Sequence, residues 1–470
     1  MSEPVSTGLL DRAIRRIAGV WREMAASVAG DETVRAQMKA CLDGRGGEVS
    51  ARNRAAKLAQ TFLSLDEAGR ADFLRVLAEF DSDPAAVAAA FAKVEAAAGP
   101  AERAGAKVEL RRTLEPPRVR LLTQFASIPD GCKFLVDLRG TLLKLRGADK
   151  ALAALDADLK GLLAAWFDVG FLELRRIDWE SPAALLEKLV DYEAVHAIRS
   201  WRDLKNRLDS DRRCYAFFHP RMPGEPLIFV EVALVKGLAG NVQALLDEAA
   251  PVLDPRGADT AIFYSISNCQ AGLAGISFGN FLIKRVVEEL SDDFRNLKTF
   301  ATLSPIPGFR RWLDPLLAAG GRGLLFEDEQ AALVQAMPSE NGPAALAAIL
   351  GRKRWWREAH LRKAAEPALL RLAARYLVTE GEGARARDSV AHFHLSNGAR
   401  IERLALCADT SDKGAKESAT LMVNYLYDLA KIEAWHEDYA GEGRRNASPG
   451  VRKLLKRSAA VKEPAEVGLG

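Results

Sequence analysis

The sequence predicts a chain in two parts, an all-helical N-terminal domain followed by a domain of mixed α+β or α/β class. Over residues 9–173 apolar side chains recur at helical spacing, as at Phe134, Leu138 and Leu142. From Cys214 onward, β-branched and aromatic residues concentrate in short runs separated by turn residues. A chain of 470 residues has room for two or three domains. We expect a helical domain over residues 1–170 and the mixed domain over residues 171–470.

The mixed domain opens with two strand-like runs, CYAFFHP at 214–220 and PLIFVEVALV at 226–235. The turn sequence MPGEP between them predicts an antiparallel hairpin. The next expected elements are a helix at 242–253, a strand at 260–267, a glycine-containing loop, a helix at 281–290 and a strand at 298–304. This region is therefore predicted to run strand, glycine loop, helix, strand.

Helical spacing returns over residues 315–379, which include the basic and aromatic stretch RKRWWREAHLRK. We interpret this stretch as a helix with a packed tryptophan face, Trp355 or Trp356, and solvated cations. Further on, SNGA separates VAHFHL from RIERLAL, and Asn-Gly between two such runs predicts a second hairpin. From about residue 441 the chain is polar, and an exposed tail is expected.

The overall charge argues against nucleic acid as a partner. Lys and Arg total 66 against 63 Asp and Glu, and no long block of like charge could follow a phosphate backbone. No run of about 18 apolar residues and no signal peptide is apparent, so a cytoplasmic protein that does not bind membranes is expected.

The five cysteines predict neither a disulfide framework nor a structural zinc site. They are odd in number, scattered and without CxxC spacing: Cys41, Cys132, Cys214, Cys269 and Cys407. A reducing compartment is the simplest interpretation.

The first candidate site is the loop between the strand ending at Ser267 and the helix beginning at Phe281. It contains Gly272, Gly275 and Gly279. Glycines allow a ligand to approach the backbone closely, and a helix N-terminus offers unpaired N–H groups, so the loop suits a pyrophosphate. Its spacing is neither a Walker loop nor a dinucleotide fingerprint, and a plain strand-to-helix turn stays an open alternative.

The second candidate is a serine, and the third, considered separately, is a pair of histidines. Ser304 ends the strand after that helix, and Pro305 and Pro307 prevent ordinary continuation, although a turn serine is the simpler alternative. Strand alternation places His392 and His394 on one face. Either histidine could donate a proton, but no further ligands appear at metal-binding spacing, so no metal is predicted.

The fourth candidate is the pair His219 and Arg221, which lies at the end of a predicted strand before a turn. Arg221 could pair with a carboxylate or a phosphate, and a solvated loop charge is the alternative.

Taken together, these segments resemble malonyl-CoA decarboxylase. The strings that carry the resemblance are HPRMPGEPLIFVEVAL, FYSISNCQAGLAGISFGNFLIKRVVEEL, FATLSPIPGF followed by Trp312, VAHFHLSNGARIERL and LMVNYLY. They span most of residues 214–427, roughly half of the chain, and several are long and uninterrupted.

The resemblance implies a GNAT-like, acyl-CoA-binding catalytic domain behind a helical domain that takes part in self-association. It places the CoA pyrophosphate at the start of a helix between two splayed strands. It implies that Ser304 is a proton acceptor and His394 a proton donor, with His392 as the fallback donor. It also implies malonyl-CoA contacts at Ala274, Gly275, Ile276, Ser277, Phe278, Gly279 and Asn280. Some relatives carry an acidic residue where this chain has Ser277.

The expected reaction is therefore conversion of malonyl-CoA to acetyl-CoA and carbon dioxide through a thioester enolate, with no cofactor. Two alternatives stay open, an acyl-CoA acyltransferase of GNAT fold and a non-catalytic malonyl-CoA sensor. Acceptor-dependent release of CoA would identify the first, and tight binding without turnover would identify the second. Fatty acid metabolism and growth on malonate are both compatible with the expected reaction.

Overall fold

The computed structural model describes residues 21, 24–25, 33–43, 47–276 and 281–456. In the described N-terminal part the helices are α1 (Val34–Leu42), α2 (Glu48–Ser64), α3 (Glu67–Ala78), α4 (Pro84–Ala96), α5 (Pro100–Leu114), α6 (Pro117–Phe125), α7 (Gly131–Leu145) and α8 (Lys150–Trp166). Several of them begin at an Asp cap or with a proline in the first turn, both of which favour helix initiation. The prediction of a helical N-terminal region is confirmed.

The strands of the second part form a mixed sheet. They are β1 (Glu173–Ile177), β2 (Arg212–Phe218), β3 (Ile228–Val235), β4 (Thr260–Asn268), β5 (Thr299–Thr302), β6 (Ser304–Pro305), β7 (Gly381–Glu382), β8 (Arg385–Ala386), β9 (Arg400–Ala405) and β10 (Met422–Tyr427). Eight of these make one sheet in the order β1-β2-β3-β4-β5-β10-β6, with β9 also paired to β10. The hairpin of β2 and β3 is antiparallel, as predicted.

The helices of the second part cover the sheet and extend beyond it. They are α9 (Ala183–Tyr192), α10 (Trp201–Arg207), α11 (Val242–Leu245), α12 (Phe281–Asp293), α13 (Phe309–Ala318), α14 (Glu327–Ala336), α15 (Gly342–Gly351), α16 (Ala359–Val378), α17 (Ser389–Ser396), α18 (Asp412–Ser418), α19 (Ile432–Glu442) and α20 (Pro449–Leu454). No helix in the described ranges is long and apolar enough to cross a membrane.

The central feature of the sheet is a short parallel pairing between β4 and β5. The register runs from Thr260 opposite Thr299 to Phe263 opposite Thr302, and α12 connects the two strands. Beyond this point β4 continues beside β3, whereas the chain after β5 leaves β4 and keeps its antiparallel pairing with β10. The two parallel strands therefore splay apart, as the resemblance implies.

The helical region and the sheet share one hydrophobic core. A continuous cluster of buried side chains includes Phe134 and Leu138 of α7 together with Phe263 of β4 and Val286 of α12. At the contact, a Cβ on Gly272 would lie only 1.7 Å from the Val136 carbonyl oxygen, so the loop after β4 packs directly on α7. The two parts are thus joined by close backbone packing at the glycine loop.

The predicted second hairpin is wrong in its first arm. VAHFHL forms the helix α17, because the Asp388 side chain accepts hydrogen bonds from the backbone of Val390 and Ala391 and caps the helix. The Asn-Gly pair ends this helix, with Gly398 at φ +73° in the left-handed conformation that favours glycine. Only the second arm is extended, as β9, and it pairs with β10.

Three further expectations are corrected by the structure. The helix expected at 242–253 is the single turn α11. The stretch RKRWWREAHLRK is not one helix, because Arg354 at φ +57° interrupts it before a short 3-10 turn, although Trp355 and Trp356 are packed as expected. The expected exposed tail is folded through residue 456, since Ala447 and Val451 are buried.

Candidate active site

Ser304 lies where β4 and β5 separate. The Leu303 backbone N–H still donates to the Phe263 carbonyl of β4 at 2.9 Å. One residue later, Ser304 is opposite Val423 of β10. The serine is therefore held at the opening of the splay, as expected of a residue that ends its strand before Pro305.

Ser304 and His394 are in direct contact. The Ser304 Oγ lies 3.0 Å from His394 Nε2, although 90 residues separate the two in the chain. The same hydroxyl donates to Thr302 Oγ1 at 2.8 Å. Only 6% of Ser304 and 2% of His394 are exposed, so the pair is shielded from bulk water.

Two tyrosines of β10 complete the surroundings of His394. Its Nδ1 lies 2.7 Å from the Tyr427 hydroxyl, and its ring stacks on Tyr425 with centroids 4.4 Å apart. Sequence reasoning did not identify either tyrosine as a site residue. Alternate aromatic residues on a buried strand usually indicate core packing, so only their occurrence in the string LMVNYLY could have drawn attention to them.

His392 faces away from this pair. Its Nδ1 lies 2.8 Å from the Tyr439 hydroxyl. Residues two apart point to different sides of a helix, whereas they share a face of a strand, so the predicted same-face arrangement of His392 and His394 is wrong. In the described part of the chain, no group of three or more His, Cys, Asp and Glu is arranged to hold a metal ion.

The protonation state of His394 follows from its burial. Desolvation lowers the pKa of His394 to about 3, since the cation loses hydration that the surroundings do not replace. Burial also raises the pKa of Tyr427 well above its ordinary value. At neutral pH the contact therefore joins a neutral imidazole to a neutral phenol, either of which can donate or accept the proton between them.

Asp388 connects the Ser304 segment to the helix that carries His394. Besides capping α17, its carboxylate accepts a hydrogen bond from the Gly308 backbone N–H at 3.1 Å. Gly308 is close-packed there, because a Cβ would lie 2.1 Å from the Tyr376 hydroxyl. This one buried carboxylate thus fixes α17 relative to the chain that follows Ser304.

A cavity of about 460 Å³ lies beside the catalytic candidates. Its walls include three of the residues expected to contact substrate, Ala274, Gly275 and Ile276. Phe393 also lines the cavity, and its ring contacts that of His394 with centroids 5.1 Å apart. The volume is in the range of small-molecule sites, roughly 300–1,000 Å³. The remaining expected contacts, Ser277, Phe278, Gly279 and Asn280, lie outside the described residues.

The loop that lines this cavity is held by the helical region. The buried Arg139 of α7 donates to the carbonyl oxygens of Gly272 at 2.6 Å and Ala274 at 2.9 Å. Its guanidinium also pairs with Asp156 of α8, which Arg146 contacts as well. Sequence reasoning assigned the helical half no chemistry and missed this contact.

His219 and Arg221 lie away from the cavity, at the contact with the helical region. The His219 Nδ1 accepts a hydrogen bond from the Arg221 backbone N–H, and its ring packs on Phe167 with centroids 4.6 Å apart. The Arg221 guanidinium lies 5.8 Å from the centre of the Trp166 ring. Both residues attach the end of β2 to α8.

This fold and site have the features of an enzyme that carries out acid–base chemistry. A serine, a histidine and a tyrosine form a buried hydrogen-bonded chain, and a cavity of ligand size lies next to them. Such a constellation is typical of general acid–base catalysis.

Comparisons with known proteins identify the family. The chain matches the Malonyl-CoA decarboxylase C-terminal domain over residues 170–465 and the Malonyl-CoA decarboxylase N-terminal domain over residues 80–167. A protein of Anser anser anser named "Malonyl-CoA decarboxylase, mitochondrial" is 36% identical over 474 residues, or 95% of this chain and 94% of its own.

Solved structures agree with this match. The crystal structure of malonyl-CoA decarboxylase from Rhodopseudomonas palustris has 42% identity and a TM-score of 0.81, covering 89% of this chain and 98% of its own. That from Agrobacterium vitis has 40% identity and a TM-score of 0.81, covering 90% and 100%. The chain belongs to the malonyl-CoA decarboxylase family and is a carboxy-lyase.

The burial of neutral His394 predicts a loss of stability in acid. The unfolded imidazole titrates near the ordinary value of 6.5, whereas the folded pKa is about 3. Between these values only the unfolded state binds the proton. The contribution of His394 to the free energy of unfolding is therefore complete above pH 6.5 and falls by about 1.4 kcal/mol per pH unit below it.

Urea denaturation of the wild type and of His394→Gln, at about pH 7, 6 and 5, measures this effect. The wild type should lose stability more steeply than the variant, by the equivalent of about one proton. Equal slopes for the two proteins would contradict the neutral burial of His394.

Proposed function

We propose that this enzyme converts malonyl-CoA to acetyl-CoA and carbon dioxide, with Ser304 and His394 as its catalytic residues. The observation that carries the proposal is the buried contact of 3.0 Å between Ser304 Oγ and His394 Nε2, next to a cavity lined by the glycine loop. The substrate follows from the names of the relatives, which match along almost the whole chain.

The reaction needs an electron acceptor and a proton. The bond between the methylene carbon and the carboxylate breaks, carbon dioxide leaves, and the electron pair moves into the thioester to form an enolate. A proton then forms the new C–H bond, so that malonyl-CoA and one proton give acetyl-CoA and carbon dioxide. Because the thioester carbonyl itself accepts the electrons, we propose that the reaction uses no cofactor.

His394 supplies that proton in the proposed mechanism. Burial keeps the ring neutral, but the carboxylate of bound malonyl-CoA would favour the imidazolium ion, since an opposite charge nearby stabilises it. When carbon dioxide leaves, that stabilising charge leaves too, and the buried imidazolium becomes a strong acid beside the enolate carbon. The Tyr427 hydroxyl can partner Nδ1 in both states, because it can donate or accept.

Ser304 binds and orients the carboxylate in this proposal. Its hydroxyl lies between His394 Nε2 and Thr302 Oγ1, so its direction is determined by two partners. A carboxylate held out of the plane of the thioester has its breaking bond aligned with the carbonyl π system, which lets the enolate form as the bond breaks.

The glycine loop is proposed to hold the CoA moiety. Ala274, Gly275 and Ile276 line the cavity, and α12 begins at Phe281, a few residues further along the chain. Unpaired N–H groups at a helix start favour a phosphate, which suits the CoA pyrophosphate.

The first test is the reaction of purified, metal-stripped protein with malonyl-CoA, followed by chromatography of the CoA esters. The wild type should form acetyl-CoA without any added cofactor. His394→Asn should lower kcat by about 10²–10⁴-fold, as expected for loss of a general acid. Ser304→Ala should lower it on the order of 10²-fold, as for loss of a transition-state hydrogen-bond donor.

Both variants should still bind CoA, because neither residue lines the cavity among those described. Wild-type turnover in folded His394→Asn would falsify the role of His394. Folded wild-type protein that binds malonyl-CoA and leaves it intact would instead favour the sensor alternative.

A second test compares the two tyrosines of β10. Tyr427→Phe removes a hydrogen bond to His394 and should lower kcat roughly 10- to 100-fold, since a hydrogen bond to a charged group contributes about 1.5–3 kcal/mol. Tyr425→Phe is a matched control, because the Tyr425 hydroxyl has no hydrogen-bond partner among the described residues and the stacked ring is kept. Equal kcat values for the two variants would rule out a role for the Tyr427 hydroxyl.

A third test addresses the contribution of the helical region. Arg139→Gln removes the two charged hydrogen bonds to the glycine loop and should raise KM for malonyl-CoA about tenfold, with a smaller change in kcat. Arg146→Gln is the control, since Arg146 pairs with the same Asp156 and makes no hydrogen bond to the loop. A KM that rises equally in both variants would show that Asp156, and not the loop contact, is responsible.

Self-association through the helical region is also proposed. Helices α4 and α5 pack on each other and leave apolar side chains in solvent, with Phe91 52%, Val108 42% and Leu114 49% exposed. No residue of α5 is buried within the described chain. A second copy of this chain that covered the helical hairpin of α4 and α5 would remove this apolar surface from water.

Light scattering after size exclusion tests this surface. Phe91→Asp should reduce the molar mass of the assembly, because burying a carboxylate in an apolar contact is costly. Val49→Asp is the control, as Val49 is 70% exposed on α2, outside the hairpin. An unchanged mass for Phe91→Asp would place the contact elsewhere.

A further inference from the structure

A cationic cleft is present in the second part of the chain. It consists of two neighbouring cavities of about 540 and 520 Å³ that share Arg354, Trp356 and Asp412. The cleft is formed by the start of α13, the turn after α15 and the start of α18. The cavity at the glycine loop shares none of its lining residues with the cleft.

The walls of this cleft are strongly positive. Eight Arg and Lys side chains line it, against three carboxylates, Asp314, Asp412 and Glu417. Arg310 pairs with Asp314, and Arg352 pairs with Glu358. The cations that make no ion pair with any described carboxylate are Arg311, Lys353, Arg354, Arg357, Arg362 and Lys416.

Arg354 holds a backbone conformation that is unusual for its residue type. Its φ of +57° and ψ of +32° lie in the left-handed region, which costs free energy for any side chain with a Cβ. Arg354 directly precedes the 3-10 turn that carries the packed Trp356, and it lines both cavities. The strained backbone places Arg354 beside other cations, an arrangement that an ordinary solvated surface does not need.

We propose that the cationic cleft binds a small polyanion that carries a diphosphate, and that its occupancy affects turnover. Guanidinium groups bind phosphate through paired hydrogen bonds, and several unpaired cations favour a ligand with more than one negative charge. Each cavity is concave and of small-molecule size, within roughly 300–1,000 Å³, which suits a metabolite better than an extended nucleic acid.

A short covalent and hydrogen-bonded path joins the cleft to the catalytic residues. Pro307 lines the cleft and follows Ser304 by three residues. The next residue, Gly308, donates its backbone N–H to Asp388, which caps the helix that carries His394. A ligand that moves the start of α13 therefore acts on both members of the catalytic pair.

Isothermal titration calorimetry of the full-length protein, saturated with acetyl-CoA to occupy the catalytic site, tests the binding. Inorganic pyrophosphate and ADP are the probes. Tighter binding of ADP would identify a nucleotide, and equal binding would identify the diphosphate alone. Both results support the proposal. If neither probe binds to the protein saturated with acetyl-CoA, the proposal is overturned.

Variants at the cleft give the matched comparison. Arg354→Gln combined with Arg357→Gln should weaken pyrophosphate binding at least about tenfold, since each lost contact is a charged hydrogen bond. Lys363→Gln is the control, because Lys363 is exposed on α16 nearby and lines neither cavity. Thermal unfolding checks that all variants are folded. If the double variant and the control bind pyrophosphate equally, the cleft is not the binding site.

The effect of cleft occupancy on turnover is measured separately. The kcat of the wild type at saturating malonyl-CoA should change by at least about twofold when pyrophosphate saturates the cleft, and the double variant should not respond. An unchanged wild-type kcat, with binding established by calorimetry, would overturn the coupling. The binding result is independent of whether the proposed catalytic roles are correct, because the calorimetry does not depend on turnover.

Discussion

The splay between β4 and β5 is the constraint on which the active site depends. Strands that separate leave backbone groups without partners, and such groups are costly when buried. At this opening, polar side chains also replace the ladder between this segment and β10, whose pairing is interrupted at Asn424 and Tyr425. Asn424 donates to the Thr302 carbonyl at 2.7 Å, and the Thr302 hydroxyl accepts from the Tyr425 backbone at 3.1 Å. The same Thr302 hydroxyl accepts from Ser304, so the group that completes the sheet also orients the serine.

Burial gives His394 its chemical character. No charged group is needed to lower its pKa, because desolvation alone disfavours the cation. Tyr425 stacks on the ring and the Tyr427 hydroxyl contacts Nδ1, so both the plane and the rotation of the imidazole are restrained. A ring held in this way responds to the charge of whatever ligand enters, which suits a substrate that arrives with a carboxylate and loses it.

The helical region contributes to the proposed active site as well as to the core. Arg139 reaches the glycine loop from α7, and Gly272 lies against the α7 backbone too closely for any Cβ. A shift of α7 would therefore move the loop, and the loop lines the cavity.

Local patterns in the sequence determined most of the element order. The helical spacing of the first half, the hairpin of β2 and β3, and the strand, glycine loop and helix that follow all result from periodicity and turn residues over short windows. The placement of Ser304 at a strand end before two prolines is of the same kind. The resemblance to the family rested on long strings in the second half and supplied the expectation that Ser304 and His394 act together.

Only the tertiary structure decided the rest, because it depends on contacts between distant residues. VAHFHL is short and apolar enough for a strand or a helix, and the carboxylate of Asp388, which also binds Gly308, selects the helix. Arg139 lies 133 residues from Gly272 in the chain, and no local pattern links an arginine of a buried helix to a carbonyl of a distant loop. The sequence by itself therefore determined most of the elements, whereas packing decided segments such as VAHFHL and determined which polar groups meet.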